Sequence, residues 1–176
     1  MSDFRSASPA DATALHALIE RTYRGDSAKA GWTHEADLLG GQRTDLAALT
    51  EIIGDPAQTI LVTEVDGVPT GCVCVTDKGG GIAYLGLLTV DPSRQAGGLG
   101  RRLIDAAEAH AQSLGCATME MTVIVQRADL IAWYERRGYA LTGERRPFPL
   151  DDPRFGVPVT RDLEFVVLAK PLRPTP

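Results

Sequence analysis

No apolar run in this sequence approaches the ~18 residues needed to span a bilayer, so no transmembrane helix and no membrane partner is expected. The first residues, Met1-Ser2-Asp3-Phe4-Arg5, lack the basic start and apolar stretch of a secretory signal. A cytoplasmic location is therefore expected. Cysteine is scarce: Cys72, Cys74 and Cys116 make an odd set of three, which argues against a disulfide framework. Cys72 and Cys74 share one face of a predicted strand, where cysteine behaves as a small buried hydrophobe. Histidine is equally sparse. His16, His34 and His110 are scattered without metal-ligand spacing, so no metal is expected. An excess of basic residues is missing as well. Eighteen Lys and Arg against 23 Asp and Glu give a net charge of −5, the wrong sign for a nucleic-acid protein, which displaces counterions with a basic face. Local basic clusters remain at Arg94-Arg101-Arg102, Arg136-Arg137 and Arg145-Arg146, and a mildly acidic surface suits a cationic partner such as an amine.

What is present is one domain's length of chain. With 176 residues, 44% of them hydrophobic, it can bury a real core. Ser8-Pro9-Ala10-Asp11 reads as a helix start, followed by the stripe Leu15, Leu18 and Ile19 and a stop at Gly25. The Gly-bounded stretch from Gly31 to Arg43 reads mostly as loop. Thr44 or Asp45 caps a second helix carrying Leu46, Leu49, Ile52 and Ile53, stopped by Gly54-Asp55-Pro56. Thr59–Val65 and Val68–Thr76 read as a hairpin turned at Asp66-Gly67. Ile82–Val90 is apolar at nearly every position, as expected of a strand covered on both faces, and Gly86 within it signals a bulge or a close backbone approach. Leu99, Leu103, Ala107, Ala111 and Leu114 form one helical stripe. Thr118–Val125 is the next strand, so a parallel βαβ unit follows. Arg127–Arg137 is a last helix, stopped by Gly138. Runs beginning at Tyr139 and covering Leu163–Ala169 pair as a hairpin with a long loop, and Pro171–Pro176 reads as a frayed tail.

The informative segment is Val90-Asp91-Pro92-Ser93-Arg94-Gln95-Ala96-Gly97-Gly98-Leu99-Gly100-Arg101. A strand ends, small residues turn, and a long helix begins. Such a turn leaves backbone N–H groups unpaired at the positive end of the helix dipole, an arrangement that binds phosphate. Gly97, Gly98 and Gly100 admit a bulky diphosphate where side chains would block it, and Arg94, Arg101 and Arg102 add charge. A P-loop is excluded because no Gly-Lys precedes Ser or Thr. A dinucleotide fingerprint is excluded because position 103 is Leu and not the third glycine. A glycine-rich turn that merely packs tightly is the alternative.

Val90-Asp91-Pro92, then Gln95-x-x-Gly98-x-Gly100, then an amphipathic helix, resembles the acetyl-CoA pyrophosphate motif of the GNAT superfamily of N-acetyltransferases. Trp133-Tyr134-Glu135-Arg136-Arg137-Gly138-Tyr139 is similar to that superfamily's late-helix signature, and the element order matches over about residues 5–170. The resemblance implies an α/β (α+β) fold. Its mixed, mostly antiparallel sheet would have about six or seven strands, about four helices, and a splay between the two central parallel strands. It also implies acetyl-CoA as co-substrate. The pantetheine arm would lie against backbone near Leu88, Thr89 and Val90, and the pyrophosphate on amides from Gln95 through Ala96, Gly97, Gly98, Leu99 and Gly100 to Arg101. Tyr84 stands where histone-type relatives carry a Glu that acts as base, which speaks against a histone acceptor. Gln126 and Arg127 stand where many relatives carry Asn.

Attack of an amine on a thioester needs no enzyme nucleophile, only alignment, loss of the amine's proton, a donor for the carbonyl oxygen near Leu88, and a proton for the leaving thiolate. By resemblance Tyr134 supplies that last proton; the alternative is a Tyr packed in the core. Glu35 and Glu120 rank first as bases, ahead of His34, Asp37, and Tyr84 acting through water. Trp32, His34, Glu35 and Tyr84 are the expected acceptor contacts, with Trp32 a wall or cation–π face or else an anchor for its loop. The acceptor is expected to be a small-molecule or peptide amine, and the late hairpin leaves a homodimer open. A non-catalytic acyl-CoA-binding module and a cysteine hydrolase are the competing readings. Against the hydrolase, no Cys lies at a predicted helix start or beside a His.

Overall fold

Asp66-Gly67 closes the hairpin as expected: the two residues take φ of 52° and 79°, the left-handed values that a two-residue primed turn requires. The structure, a computed structural model, describes residues 4–23, 39–40, 45–147, 157–158 and 164–172. In chain order the strands are β1 (Arg5–Ser6), β2 (Leu39–Gly40), β3 (Gln58–Val65), β4 (Val68–Asp77), β5 (Ile82–Val90), β6 (Thr118–Ile124), β7 (Ala140–Pro147), β8 (Val157–Pro158) and β9 (Glu164–Pro171). The helices are α1 (Ala12–Tyr23), α2 (Leu46–Gly54), α3 (Leu99–Ser113) and α4 (Ala128–Glu135). One sheet runs in the order β1-β3-β4-β5-β6-β9-β7, and β2 pairs with β8 apart from it. Every neighbour is antiparallel except β5 beside β6. This is the mixed, mostly antiparallel α/β architecture expected.

Local chemistry sets the helix starts. The Ser8 N–H donates to the Asp11 carboxylate at 2.7 Å, and a single 3-10 turn over Pro9–Asp11 leads into α1. Asp45, not Thr44, caps α2 by accepting the Ala48 N–H at 2.6 Å, which satisfies one of the helix's orphan donors.

Each face of the sheet then covers its own core. Leu15, Leu18 and Ile19 of α1 and Leu49 of α2 pack on Ile60, Val62, Cys72 and Cys74. On the other face Leu99, Leu103, Ile104 and Ala107 of α3 pack with Leu130 and Tyr134 of α4 against Val73, Val75, Leu85, Met119 and Met121. Leu103 is fully buried, which is worth about 1.5–3 kcal/mol relative to exposure. Gly71 of β4 lets α3 come this close. A Cβ there would lie 3.0 Å from Leu103, 3.2 Å from the Thr89 carbonyl and 3.3 Å from Leu99.

Several elements depart from expectation. The two-residue strands β1, β2 and β8 carry no periodicity to read, and β2 lies inside the stretch read as loop. The tail begins later than Pro171. Leu172 is buried and its N–H donates to the Ala117 carbonyl at 2.8 Å. Among the described residues no helix is long and apolar enough to cross a membrane.

Candidate functional site

Beyond Val90 the chain turns twice. Asp91 accepts the Ser93 N–H at 3.0 Å, Pro92–Gly97 winds as a 3-10 helix, and Gly98 takes φ 75° and ψ 11°. That left-handed residue costs a glycine little and an L side chain about 1–2 kcal/mol. Among the described residues no side chain caps α3, whose first helical bond joins the Arg102 N–H to the Gly98 carbonyl. The N–H groups of Leu99, Gly100 and Arg101 therefore have no intrahelical acceptor and mark the positive end of the helix dipole. A Cβ at Gly97 or Gly98 would meet no described atom within 4 Å, so among the described residues nothing crowds the turn. Gly100 differs. It is buried, and a Cβ there would lie 3.4 Å from the Trp133 ring and 3.7 Å from Val90. Its missing side chain serves helix packing, and only its N–H belongs to the turn.

Cations gather beside this end of α3. The Arg137 guanidinium lies 4.2 Å over the Trp133 ring. Burial first, and then the charges of Arg136 and Arg101, push its pKa below the ordinary value. It remains a cation. Its Nε is buried without a hydrogen-bond partner among the described residues. The negative charge of Asp105 opposes part of this repulsion. On the other side, Arg21 of α1 reaches Asp91 at 2.8 Å and ties that helix to the turn.

The sheet opens where the sequence implied. β5 and β6 pair at Ile82 with Thr118, Ala83 with Met119 and Tyr84 with Glu120. Beyond Tyr84, among the described residues, β5 keeps β4 alone as a strand partner and β6 keeps β9 alone. At the parting point the Tyr84 and Thr122 hydroxyls are hydrogen-bonded across the two strands. Further along, the register shifts so that Leu87 and Leu88 oppose Val73 alone. This is the bulge signalled by Gly86, but Leu87 carries the unusual backbone, at φ 52°. Its carbonyl accepts from the Thr89 hydroxyl at 2.8 Å and the Cys72 thiol at 3.7 Å. A non-glycine residue held left-handed stores strain, and such bulges redirect the main chain beside functional sites. Tyr134 is buried in the same core as Leu88, Val90, Met121 and Val123. Its ring meets Trp133 and Tyr139 edge-on, at centroid distances of 5.1 and 6.1 Å.

On the α1/α2 side of the sheet, a cleft of about 420 Å³ begins at that parting point, lined by Thr76, Lys78, Tyr84, Thr122, Arg146 and the apolar pair Pro147 and Phe165. Thr76, Tyr84 and Glu120 share one cross-strand row. Glu120, which is not itself a lining residue, is the ionic partner of two that are. Its Oε1 accepts from Lys78 and, at 3.3 Å, from Arg146, while Arg146 also reaches Glu144 at 2.9 Å. Burial pushes the Glu120 carboxyl up. The hydrogen bond and charge of Lys78, with the charge of Arg146, outweigh it and hold the group below its ordinary range. A carboxylate stabilised in this way is a poor proton acceptor, which weighs against Glu120 as a base. Lys78 also lies 5.9 Å over the Tyr84 ring.

Trp32, His34, Glu35 and Asp37 lie outside the described residues, as do the side chains of Gln95 and Ala96. Leu88, Thr89 and Val90 lie on the open length of β5, and Leu99, Gly100 and Arg101 at the start of α3, as the motif placed them. All three thiols are buried, and burial pushes each one's pKa up. Burial raises Cys72 to about 12 and Cys74 to about 11, which leaves no activated thiolate there. Sequence reasoning missed Lys78, Thr122, Arg146 and Phe165, and it missed the Arg21–Asp91 tie. Alternation along β6 was the one usable signal, since it sets Glu120 and Thr122 on the face opposite Met119 and Met121.

An Azospirillum brasilense protein named as an IAA acetyltransferase is 28% identical over 116 residues, 65% of this chain and 75% of that one. The Escherichia coli ribosomal-protein-S18-alanine N-acetyltransferase superposes with a TM-score of 0.70 at 18% identity, covering 100% of this chain and 97% of that one. The yncA protein of Salmonella typhimurium, solved with its cofactor acetyl-CoA, gives 0.70 at 21% identity, covering 98% and 95%. At these identities the solved structures establish the fold. The model of the acetyltransferase (GNAT) family matches residues 14–139, a span holding both the glycine turn and the Tyr134 helix, and the chain belongs to that family.

Proposed function

We propose that this protein moves an acetyl group from acetyl-CoA to a primary amine of a small molecule or peptide. The observation that carries the reading is the start of α3: three N–H groups without an intrahelical acceptor behind a left-handed Gly98, with no described atom close to Gly97 or Gly98. The turn from Gln95 to Arg101 binds the coenzyme's pyrophosphate through main-chain donors, with the arginine cluster adding charge. The backbone of Leu88, Thr89 and Val90, on the length of β5 beyond its registered pairing with β6, is the part that meets the pantetheine arm. The redirected main chain at Leu87–Leu88 supplies the donor that polarises the thioester carbonyl.

The amine, stripped of its ammonium proton, attacks the carbonyl carbon. As the tetrahedral intermediate collapses, the C–S bond breaks, the nitrogen loses a second proton, and Tyr134 gives its hydroxyl proton to the leaving sulfur before regaining one from solvent. The sum is an ammonium and a thioester giving an amide, a thiol and one proton. Glu120 holds the ammonium in the cleft and does not remove its proton. Glu35 is the proposed proton acceptor, with Trp32 and His34 on the acceptor side and Tyr84 at the cleft's inner end.

Two measurements test this. Calorimetry with acetyl-CoA should give saturable heat, and thiol release should rise on adding amines. No heat with CoA or acetyl-CoA at millimolar concentration would overturn the proposal.

A further inference from the structure

Two of the cleft's polar side chains, Lys78 and Arg146, are cations, and each is already drawn toward one carboxylate. Both reach Glu120 through the same oxygen, Oε1. The other oxygen has no hydrogen-bond partner among the described residues, and an ionised carboxylate accepts several donors. Among the described residues Arg146 uses Nη2 alone, on Glu120 and Glu144, whereas a guanidinium carries five N–H donors in a planar fork suited to an anion. Thr76 and Thr122 add hydroxyls, and Phe165, Pro147 and the Tyr84 ring add apolar walls. The volume of about 420 Å³ falls at the small end of ligand-site sizes.

We infer that the acceptor is a zwitterion, an α-amino acid with an apolar or aromatic side chain, whose ammonium meets Glu120 while its carboxylate bridges Arg146 and Lys78. The inference rests on the proposed acetyl transfer and names its substrate class. A polycation would place a second positive charge against Lys78 and Arg146, and like charges at such distances repel. A monoamine without a carboxylate would leave Lys78 and Arg146 sharing a single Glu120 oxygen, with Glu144 as a further partner of Arg146 alone, whereas a matched zwitterion brings a second carboxylate to both. The reaction is the one balanced above, with the amino acid's nitrogen forming the amide bond.

The test pairs each amino acid with its decarboxylated amine, for example phenylalanine with phenethylamine and tyrosine with tyramine, beside spermidine and kanamycin. Acetyl-CoA is held fixed and thiol release is read. The amino acids should exceed their amines in kcat/KM by roughly 10- to 100-fold, the loss expected when charged donors go unpaired. In Arg146→Gln this preference should shrink, mainly through KM for the amino acid, while acetyl-CoA affinity stays unchanged. Lys78→Met gives an independent second variant should Arg146→Gln fold poorly. Arg146→Lys should restore part of the preference, since it keeps the charge without the fork. Preference for spermidine, kanamycin or the decarboxylated amines would overturn the zwitterion inference and leave acetyl transfer standing. Absence of acetyl-CoA binding would overturn both.

Discussion

The glycine turn and the ionic cleft lie at opposite ends of β5, one past Val90 and the other at Tyr84, and they are built from different materials. The turn is a short continuous stretch whose donors are main-chain N–H groups, aimed by one left-handed glycine. The cleft is assembled from β4, β5, β6, β7 and β9, and its chemistry resides in side chains held in register by the sheet. A backbone-built site tolerates side-chain exchange and fails when φ and ψ change. A side-chain-built site does the reverse. The turn therefore suits an invariant ligand, and the cleft suits the part of the reaction that varies among relatives with one fold.

The largest effect is expected at Tyr134, which packs in the core beside Leu88 and Val90 of β5. Tyr134→Phe should lower kcat by roughly 10²- to 10⁴-fold, the usual worth of a positioned acid, with acetyl-CoA affinity by calorimetry nearly unchanged. A kcat equal to that of the parent protein would leave Tyr134 a packing residue only. Next comes a break in the turn. Gly98→Val forces a β-branched residue into φ 75°, and acetyl-CoA affinity should fall roughly 10- to 100-fold as charge-accepting N–H groups lose their aim. Arg101→Ala, which leaves the backbone alone, should cost less than Gly98→Val. The opposite ranking would mean that the turn binds by side-chain charge and not by backbone geometry, and the contrast with the cleft would collapse. Smaller again is Gly71→Ala, which pushes a methyl to within 3.2 Å of the Thr89 carbonyl. The backbone cannot yield as a side chain does, so urea unfolding should show a loss of about 1–3 kcal/mol.

The same contrast explains what could be read from the sequence. The hairpin at Asp66-Gly67, the helix stripe from Leu99 to Ala111 and the turn between Val90 and Arg101 are local. A glycine's permissiveness and a 3.6-residue period are properties of neighbouring residues, so they are visible without the fold. The parallel pairing of β5 and β6 followed from a helix between two apolar runs. The cleft was not legible because Thr76, Tyr84, Glu120 and Arg146 meet only after five strands take their order, and that order, with β9 inserted between β6 and β7, leaves no mark on any one segment. Glu120 was singled out for its type and its strand, yet its cation partners decide its behaviour, and both are remote in sequence. The bulge lay one residue from the glycine that signalled it, because the Leu87 carbonyl gains the Thr89 hydroxyl as partial compensation for its strain.

The smallest expected effect concerns the support of the turn. Asp91 caps Ser93 and accepts from Arg21 at 2.8 Å. Burial pushes its carboxyl up, but the Arg21 and Ser93 hydrogen bonds outweigh that and hold its pKa below the ordinary value. A carboxyl whose folded-state pKa is depressed binds its proton more readily in the unfolded chain, so stability rises with pH across this interval. The contribution is complete above the unfolded value of about 4 and is lost as pH falls through the lower folded value. Arg21 is partly exposed, with a side-chain exposure of 38%, and solvent screening limits the pair to about 1 kcal/mol or less. Asp91→Asn should therefore match Arg21→Ala within a few tenths of a kcal/mol at neutral pH, and both variants should lose part of the acid-side slope seen in the parent protein below about pH 4. Because this tie supports the backbone of the turn, acetyl-CoA affinity should weaken slightly in both variants while the amino-acid preference of the cleft is untouched. A variant that altered the preference and spared the affinity would show that the two ends of β5 are coupled and not independently built.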